Sequence, residues 1–320
     1  MFSVIVPSYN SKKTIGVCLK SLLKQSLPKK HYEVIVVDDG STDGTVELVS
    51  EFPVKLFKQP HRGPAAARNF GAKHSKGNIL FFTDADCVPD RNWIKTMVEP
   101  FEDEQVAGVS GAYKTLNKDK LIARFAGYEI EERHEKLKKQ KYIDFIGTFS
   151  AAYRKNVFFK FGGFDTKFAM ASAEDSDLSF NVSKSKNILV FQPKAFVYHT
   201  HPDTLWKFLK QKFWRGYWRI PLYKKHKEKI FRHSYTPKTL FLETALTGLT
   251  FLSLIFALLK IMPMQISLFL LLLTVLLSLP FSIRIYKKDK EVGLLSPIII
   301  ILRNLSTGIG IICGIIFSRR

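Results

Sequence analysis

The sequence predicts an α/β domain over residues 1–203, a basic amphipathic segment over 204–239, and a membrane region over 240–320. Three observations carry this division. Strand-like runs alternate with helix-period segments through the first two hundred residues, which implies a mainly parallel sheet covered on both faces. The composition changes abruptly at Thr204. From Thr244 to Ile283 there is a single charged residue, Lys260.

Phe2–Val6, Glu33–Val37, Val54–Phe57 and Ile79–Phe82 are apolar, β-rich runs and are expected as strands, with Val106–Ser110 a weaker fifth. Between them, Thr14–Leu27 sets Ile15, Cys18, Leu19, Leu22 and Leu23 on one helical face. Pro64–Ser75 and Asp90–Glu102 are further helices, the second with Asp90 as its expected N-cap. No Gly-x-Gly-x-x-Gly follows the first strand, which argues against a dinucleotide-binding unit. Leu121–Lys141 is highly charged and reads as a solvated helix with i,i+4 pairs. Beyond it lie Ile143–Tyr153, a glycine pair at Gly162-Gly163, an acidic cluster at Glu174–Asp177, and strand-like Ile188–Phe191 and Ala195–Tyr198.

The net charge of +21 is extreme, yet 46% of the residues are hydrophobic, unlike a disordered basic tail. The imbalance is local: ten Lys or Arg face one acidic residue, Glu228, between Thr204 and Arg232. There Leu205, Phe208, Leu209, Phe213, Tyr217 and Ile220 form an apolar stripe, interleaved with basic residues and with Trp206, Trp214 and Trp218. Such a helix fits a membrane surface. A charge of this size also suits nucleic acid, but the cluster abuts a hydrophobic region, so anionic lipid is the expected partner and nucleic acid is not.

A bilayer crossing takes roughly 20 apolar residues. Segments 240–259 and 264–283 meet that length, with a short turn between them, and form an expected transmembrane hairpin. Segment 294–317 is expected as a third crossing, although Pro297 and Arg303-Asn304 interrupt it; an arginine in mid-span must pair or face protein. The basic residues before Leu240 and the loop Arg284–Lys290 place the N-terminal domain in the cytoplasm of a multi-pass protein of the cell membrane. Arg319-Arg320 would then lie outside, against the trend. Phe2–Val6 begins almost at the first residue, so no cleavable signal peptide is expected. Three scattered cysteines (Cys18, Cys87, Cys313) fit a reducing compartment.

The apolar run Ile79–Phe82 ends in Thr83-Asp84-Ala85-Asp86. Carboxylates are costly in a fold unless a cation or several donors hold them. Two of them, one residue apart at the C-terminal end of a strand, either present oxygens to a hard divalent ion or form an acidic turn capping the next helix. Asp38-Asp39-Gly40 likewise reads as a ligand site at a strand end or as a capping turn. Arg68 follows a Gly-Pro turn and suits phosphate or base binding.

Taken in order, Val4–Asn10, Val36–Thr45, Gly63–Gly71, Phe82–Asp86, Gly162–Asp165 and Glu174–Leu178 resemble a family 2 glycosyltransferase of the GT-A fold, over about Met1 to Tyr217. The resemblance implies a Rossmann-like mixed sheet that binds a nucleotide-diphosphate sugar, UDP- or GDP-linked. It implies Mn²⁺ or Mg²⁺ on Asp86, with Asp84 at the ribose or at the metal through water. Asp39 would recognise the base, with Asp38 beside it, and Pro7, Tyr9 and Asn10 would wall the nucleotide pocket. Asp175 takes the position of the base that deprotonates the acceptor, with inversion at the anomeric carbon; Glu174 supports it. Gly163 would allow close backbone approach and Asp165 would contact the acceptor. A metal-binding histidine is expected at His199, with His201 as the fallback, and Cys87 is expected to serve packing.

Two departures bear on the acceptor. Processive polysaccharide synthases of the family carry Gln-x-x-Arg-Trp; here Gln211-Lys212-Phe213-Trp214-Arg215 swaps the last two, which favours single additions. Polyprenyl-phosphate sugar synthases usually lack the Gly-Gly-Phe-Asp and Glu-Asp motifs. Their presence favours a hydroxyl on a lipid-linked or membrane-associated glycan over a lipid phosphate.

Overall fold

Eight strands form one mixed sheet in the computed structural model, which describes residues 1–168, 173–185, 187–230, 232–237 and 239–318. In chain order the strands are β1 (Phe2–Ser8), β2 (Tyr32–Asp38), β3 (Lys55–Lys58), β4 (Ile79–Phe82), β5 (Cys87–Pro89), β6 (Val106–Thr115), β7 (Ala151–Arg154) and β8 (Ile188–His199), laid out as β3-β2-β1-β4-β7-β6-β8-β5. The first four are parallel, as expected; β7 runs antiparallel to both its neighbours and β5 runs antiparallel to β8, so the sheet is mixed. The two strand-like runs before Tyr198 are one strand. Its pairing with β6 jumps from Gln192 to Phe196, and this bulge absorbs Pro193, which has no N–H for the ladder.

The α-helices that precede β8 in the chain are α1 (Ile15–Leu23), α2 (Thr45–Ser50), α3 (Pro64–Lys73), α4 (Trp93–Val98), α5 (Leu121–Lys138), α6 (Lys155–Lys160) and α7 (Glu174–Ser183). Helix α1 stops at Leu23, short of Leu27, because Gln25 turns inward: its amide donates to Asp90 O at 2.7 Å and accepts from Ile94 N at 3.0 Å. Asp90 is not an N-cap; its carboxylate closes a turn on Asn92 N, and the helix begins at Trp93. Helix α3 carries a small-residue face, Ala65, Ala67, Gly71 and Ala72, against the sheet. A Cβ on Gly71 would lie 2.6 Å from Ile5 Cγ2 and 3.1 Å from Val37 Cγ2, so only glycine lets this helix approach β1 and β2.

The chain separates into two units: Met1–Leu116, Glu131–Thr200 and Arg232–Tyr235 in the first, and Asn117–Ile130, His201–Phe231 and Thr236–Arg320 in the second. The second contains α8 (Leu205–Lys225), α9 (Thr239–Leu258), α10 (Met264–Tyr286) and α11 (Lys290–Phe317); the last three are long and apolar enough to cross a membrane. Arg319-Arg320 lies outside the described residues. The expectation of a solvated helix over Leu121–Lys141 holds only for its second half, where Glu135 and Lys138 form an exposed pair at 2.6 Å; the first half is packed. Phe125 and Ala126 pack with Phe208, Ile299 and Ile300, and Glu129 is buried. Glu129 binds Lys212 Nζ at 2.7 Å and Arg303 Nη1 at 2.5 Å, and Arg303 also binds Glu243 at 2.6 Å. Arg303 is thus paired with two acids, as a buried arginine requires.

Candidate active site

Parallel pairing brings the first group of motif residues to one sheet edge. Ser8 pairs with Asp38 and Ile5 with Phe82, so Tyr9-Asn10, Asp39 and Thr83-Asp84 follow the C-terminal ends of adjacent strands, the edge where open α/β sheets bind ligands. Asp38 closes the turn that follows it, accepting from Gly40 N (3.2 Å), Ser41 N (3.0 Å) and Ser41 Oγ (2.5 Å). Asp39 is buried and organises the next loop, accepting from Gln59 Nε2 (2.6 Å), Arg62 N (2.9 Å) and Gly63 N (2.8 Å), with His61 Nδ1 at 2.9 Å. The His61 ring stacks on exposed Tyr9, with centroids 4.1 Å apart. Asn10 accepts from Thr42 N at 2.9 Å and holds a left-handed φ of 48°. Pro7 is buried within β1.

Arg68 is turned inward. Its side chain is 2% exposed, and its fork bridges Asp84 Oδ1 (Nη2, 2.7 Å) and Glu174 Oε1 (Nη1, 2.9 Å). Expected at the nucleotide, it instead fixes Asp84 and ties that carboxylate to a residue 106 positions away from the arginine. Glu174 opens α7, where the helix dipole favours an anion, and its second oxygen accepts from Ala173 N. Asp175 beside it accepts from Ser176 N at 2.7 Å and from Ser176 Oγ at 3.3 Å. Burial, then the adjacent Glu174 carboxylate, pushes the Asp175 carboxyl up to about 7, against the opposing pull of Ser176 and Arg68.

The third group forms where β5 meets β8. Cys87 pairs with His199, which sets His199 Nε2 3.6 Å from Asp86 Oδ2. Asp86, Cys87 and His199 offer donor atoms within 4.8 Å of one another, the one such His/Cys/Asp/Glu cluster among the described residues. The His199 ring stacks on Tyr113 at 5.4 Å, which fixes its plane. A carboxylate oxygen and an imidazole nitrogen at this spacing fit one hard divalent ion, and both side chains are partly open to solvent and further oxygen ligands. Burial pushes the Cys87 thiol well up, and Asp84 and Asp86 add to it, so it stays protonated and suits packing rather than ligation. His201 lies outside this cluster; its backbone N–H and carbonyl bind the Asn117 side chain.

The Gly162-Gly163 turn takes two left-handed residues, φ +83° and +69°. Asn69 anchors it: its Nδ2 donates to Phe164 O at 2.7 Å and its Oδ1 accepts from Phe164 N at 2.9 Å. A Cβ on Gly163 would meet Asn69 Oδ1 at 2.7 Å. Asp165 accepts from Lys167 N at 3.0 Å. Asn69, Gln59 and His61 are the residues that sequence reasoning gave no role. The sequence offered one signal for Asn69: it adjoins Arg68 on a helix whose other face is all small residues.

Residues 3–161 match the family described as Glycosyl transferase family 2. The "Probable glycosyltransferase YdaM" of Bacillus subtilis (strain 168) is 30% identical over 233 residues, 68% of this chain and 52% of that protein. "Glycosyltransferase AglE" of Haloferax volcanii is 40% identical over 115 residues, 34% of this chain and 38% of that protein. The chain thus spans about half the length of the first relative and less of the second. Among solved structures, the mannosyltransferase PcManGT from Pyrobaculum calidifontis, in complex with GDP-Man and Mn²⁺, superposes with a TM-score of 0.66 at 18% identity. The match covers 100% of this chain and 88% of that one, and it identifies the fold as GT-A.

Proposed function

The chain belongs to glycosyl transferase family 2, and from that premise we propose that it transfers a sugar, with inversion, from a nucleotide-diphosphate donor to an acceptor hydroxyl. The observation that carries the reading is the Arg68 fork, which joins Asp84 on the donor side to Glu174, the neighbour of Asp175, on the acceptor side. The donor is UDP- or GDP-linked, with its nucleotide against Tyr9, Asn10 and the loop that Asp39 organises. Asp86 and His199 would hold Mn²⁺ or Mg²⁺, which when bound would neutralise the diphosphate leaving group. Asp175 takes the acceptor proton, a role suited to a carboxyl titrating near neutrality.

The acceptor is a hydroxyl of a lipid-linked or membrane-associated glycan. A polyprenyl-phosphate acceptor needs no base, and the raised Asp175 supports the hydroxyl reading over it. The α9–α10 hairpin crosses the membrane with the catalytic domain in the cytoplasm, as the basic loop Arg284–Lys290 supports. Inside the hairpin, Thr250 and Thr274 hydroxyls bond at 2.9 Å.

The test is turnover of a panel of nucleotide sugars by the purified full chain with lipid-linked acceptors. Chelation and Asp86→Ala should each abolish transfer, and Mn²⁺ should restore the chelated wild type alone. Equal rates with and without metal would overturn the reading.

A further inference from the structure

We infer that α11 does not cross the bilayer but pairs with α8 as an in-plane shelf on the cytoplasmic leaflet, so the C-terminus lies on the catalytic domain's side. This replaces the third crossing expected for 294–317 and rests on the proposed crossing of the α9–α10 hairpin.

Helix α8 is confined to one side of the membrane by the chain at its two ends. The chain leaves the first unit after Thr200 and is back in it at Arg232–Tyr235. There Ser234 donates to Asp144 Oδ1 from its N–H (2.7 Å) and its hydroxyl (2.6 Å), and Tyr235 stacks on Phe145 with centroids 4.1 Å apart. A helix of 21 residues is about 30 Å long. The six residues 226–231 reach about 20 Å fully extended, too short to return through a bilayer. They also carry Lys227, Glu228 and Lys229.

Helix α11 follows α8, and the two run parallel. Ser306 Oγ donates to Leu209 O at 2.8 Å, and Lys224 Nζ donates to Ser318 Oγ at 3.3 Å. Between these points a Cβ on Gly310 would collide with the Phe213 carbonyl, and one on Gly314 would lie 2.7 Å from Tyr217 O. Were α11 to cross, it would carry Lys210, Arg215 and Arg219 of α8 into the hydrocarbon with it, which the cost of intramembrane charge opposes.

The hairpin contacts agree. Helix α11 starts beside Tyr286, the last residue of α10, since a Cβ on Gly293 would collide with the Tyr286 backbone. At Arg303 it meets Glu243, five residues into α9. Both points lie at the same end of the hairpin, and the ten residues between them cover about 15 Å. That travel is sideways across the hairpin base. Exposed Leu294, Ile298, Ile309, Ile312 and Ile316 recur on one face of α11, and exposed Trp206 with the basic residues of α8 supplies an interfacial, anion-seeking surface. Mean hydropathy alone could not separate this shelf from a span.

The test uses the full chain with epitope tags at the N-terminus, at the Lys260–Met262 turn and after Arg320, probed by protease in sealed membrane vesicles of both orientations. The expected result is loss of the N- and C-terminal tags from one side and of the turn tag from the other. A C-terminal tag cleaved from the turn's side overturns the inference. All three cleaved from one side overturns the hairpin crossing, and the inference with it, while leaving the proposed chemistry standing. As a tag-free check, a fluorophore on Ile309→Cys, near the middle of the segment, should be quenched by headgroup-depth and not bilayer-centre quenchers; the reverse overturns the shelf.

Discussion

On the proposed reading, Asp175 and Arg68 decide the chemistry at the scale of single residues. A base held near 7 is protonated below that pH and competent above it, so transfer should rise with pH through about 7. The same shift has a stability sign. The folded state favours the neutral carboxyl, so ionisation costs stability as pH rises from the ordinary carboxylate range toward 7. Asp175→Asn should therefore melt no lower than wild type at pH 8, measured by thermal unfolding. Arg68→Met removes the cation that bridges Asp84 and the buried Glu174, and should cost about 3–5 kcal/mol in denaturant unfolding. Arg68→Lys should rescue it only in part, because an ammonium cannot span both carboxylates as a fork does. The carboxylates themselves were legible in the sequence, because their spacing at strand ends carries chemistry. The inward turn of Arg68 was not, since its partners lie 16 and 106 residues away.

At the scale of elements, close packing of short segments sets the site. Helix α3 delivers Arg68 and Asn69 only because Gly71 lets it sit on β1 and β2. Gly71→Ala forces a methyl into Ile5 and Val37 and should cost about 1–3 kcal/mol, read as a lower melting temperature. The long strands and α3 were visible from apolar runs and turn signals. Strand β5, three residues long, has no period to read, yet its pairing with β8 is what brings His199 to Asp86. The first half of α5 read as solvated because the charge-rich second half, Glu131 to Lys138, coloured the whole segment. Its role turns on Glu129, whose partners Lys212 and Arg303 belong to helices far along the chain.

Across the whole molecule, a GT-A domain is followed by helices with the length and composition of membrane segments. Hydropathy exposed those segments in the sequence, but it counts apolar residues and is blind to which helix lies beside which. The parallel seam of α8 and α11, built on Gly216, Gly310 and Gly314, is a property of packing alone. The donor sugar belongs to the same class, since pocket shape selects it and the motifs do not. The proposed chemistry stands or falls on Asp175. The most direct measurement compares sugar transfer by purified wild type and Asp175→Asn at saturating donor and Mn²⁺, with nucleotide affinity and melting temperature measured alongside. The prediction is a rate lower by about 10²–10⁴-fold with affinity and fold retained; transfer by the Asp175→Asn variant at the wild-type rate would contradict it.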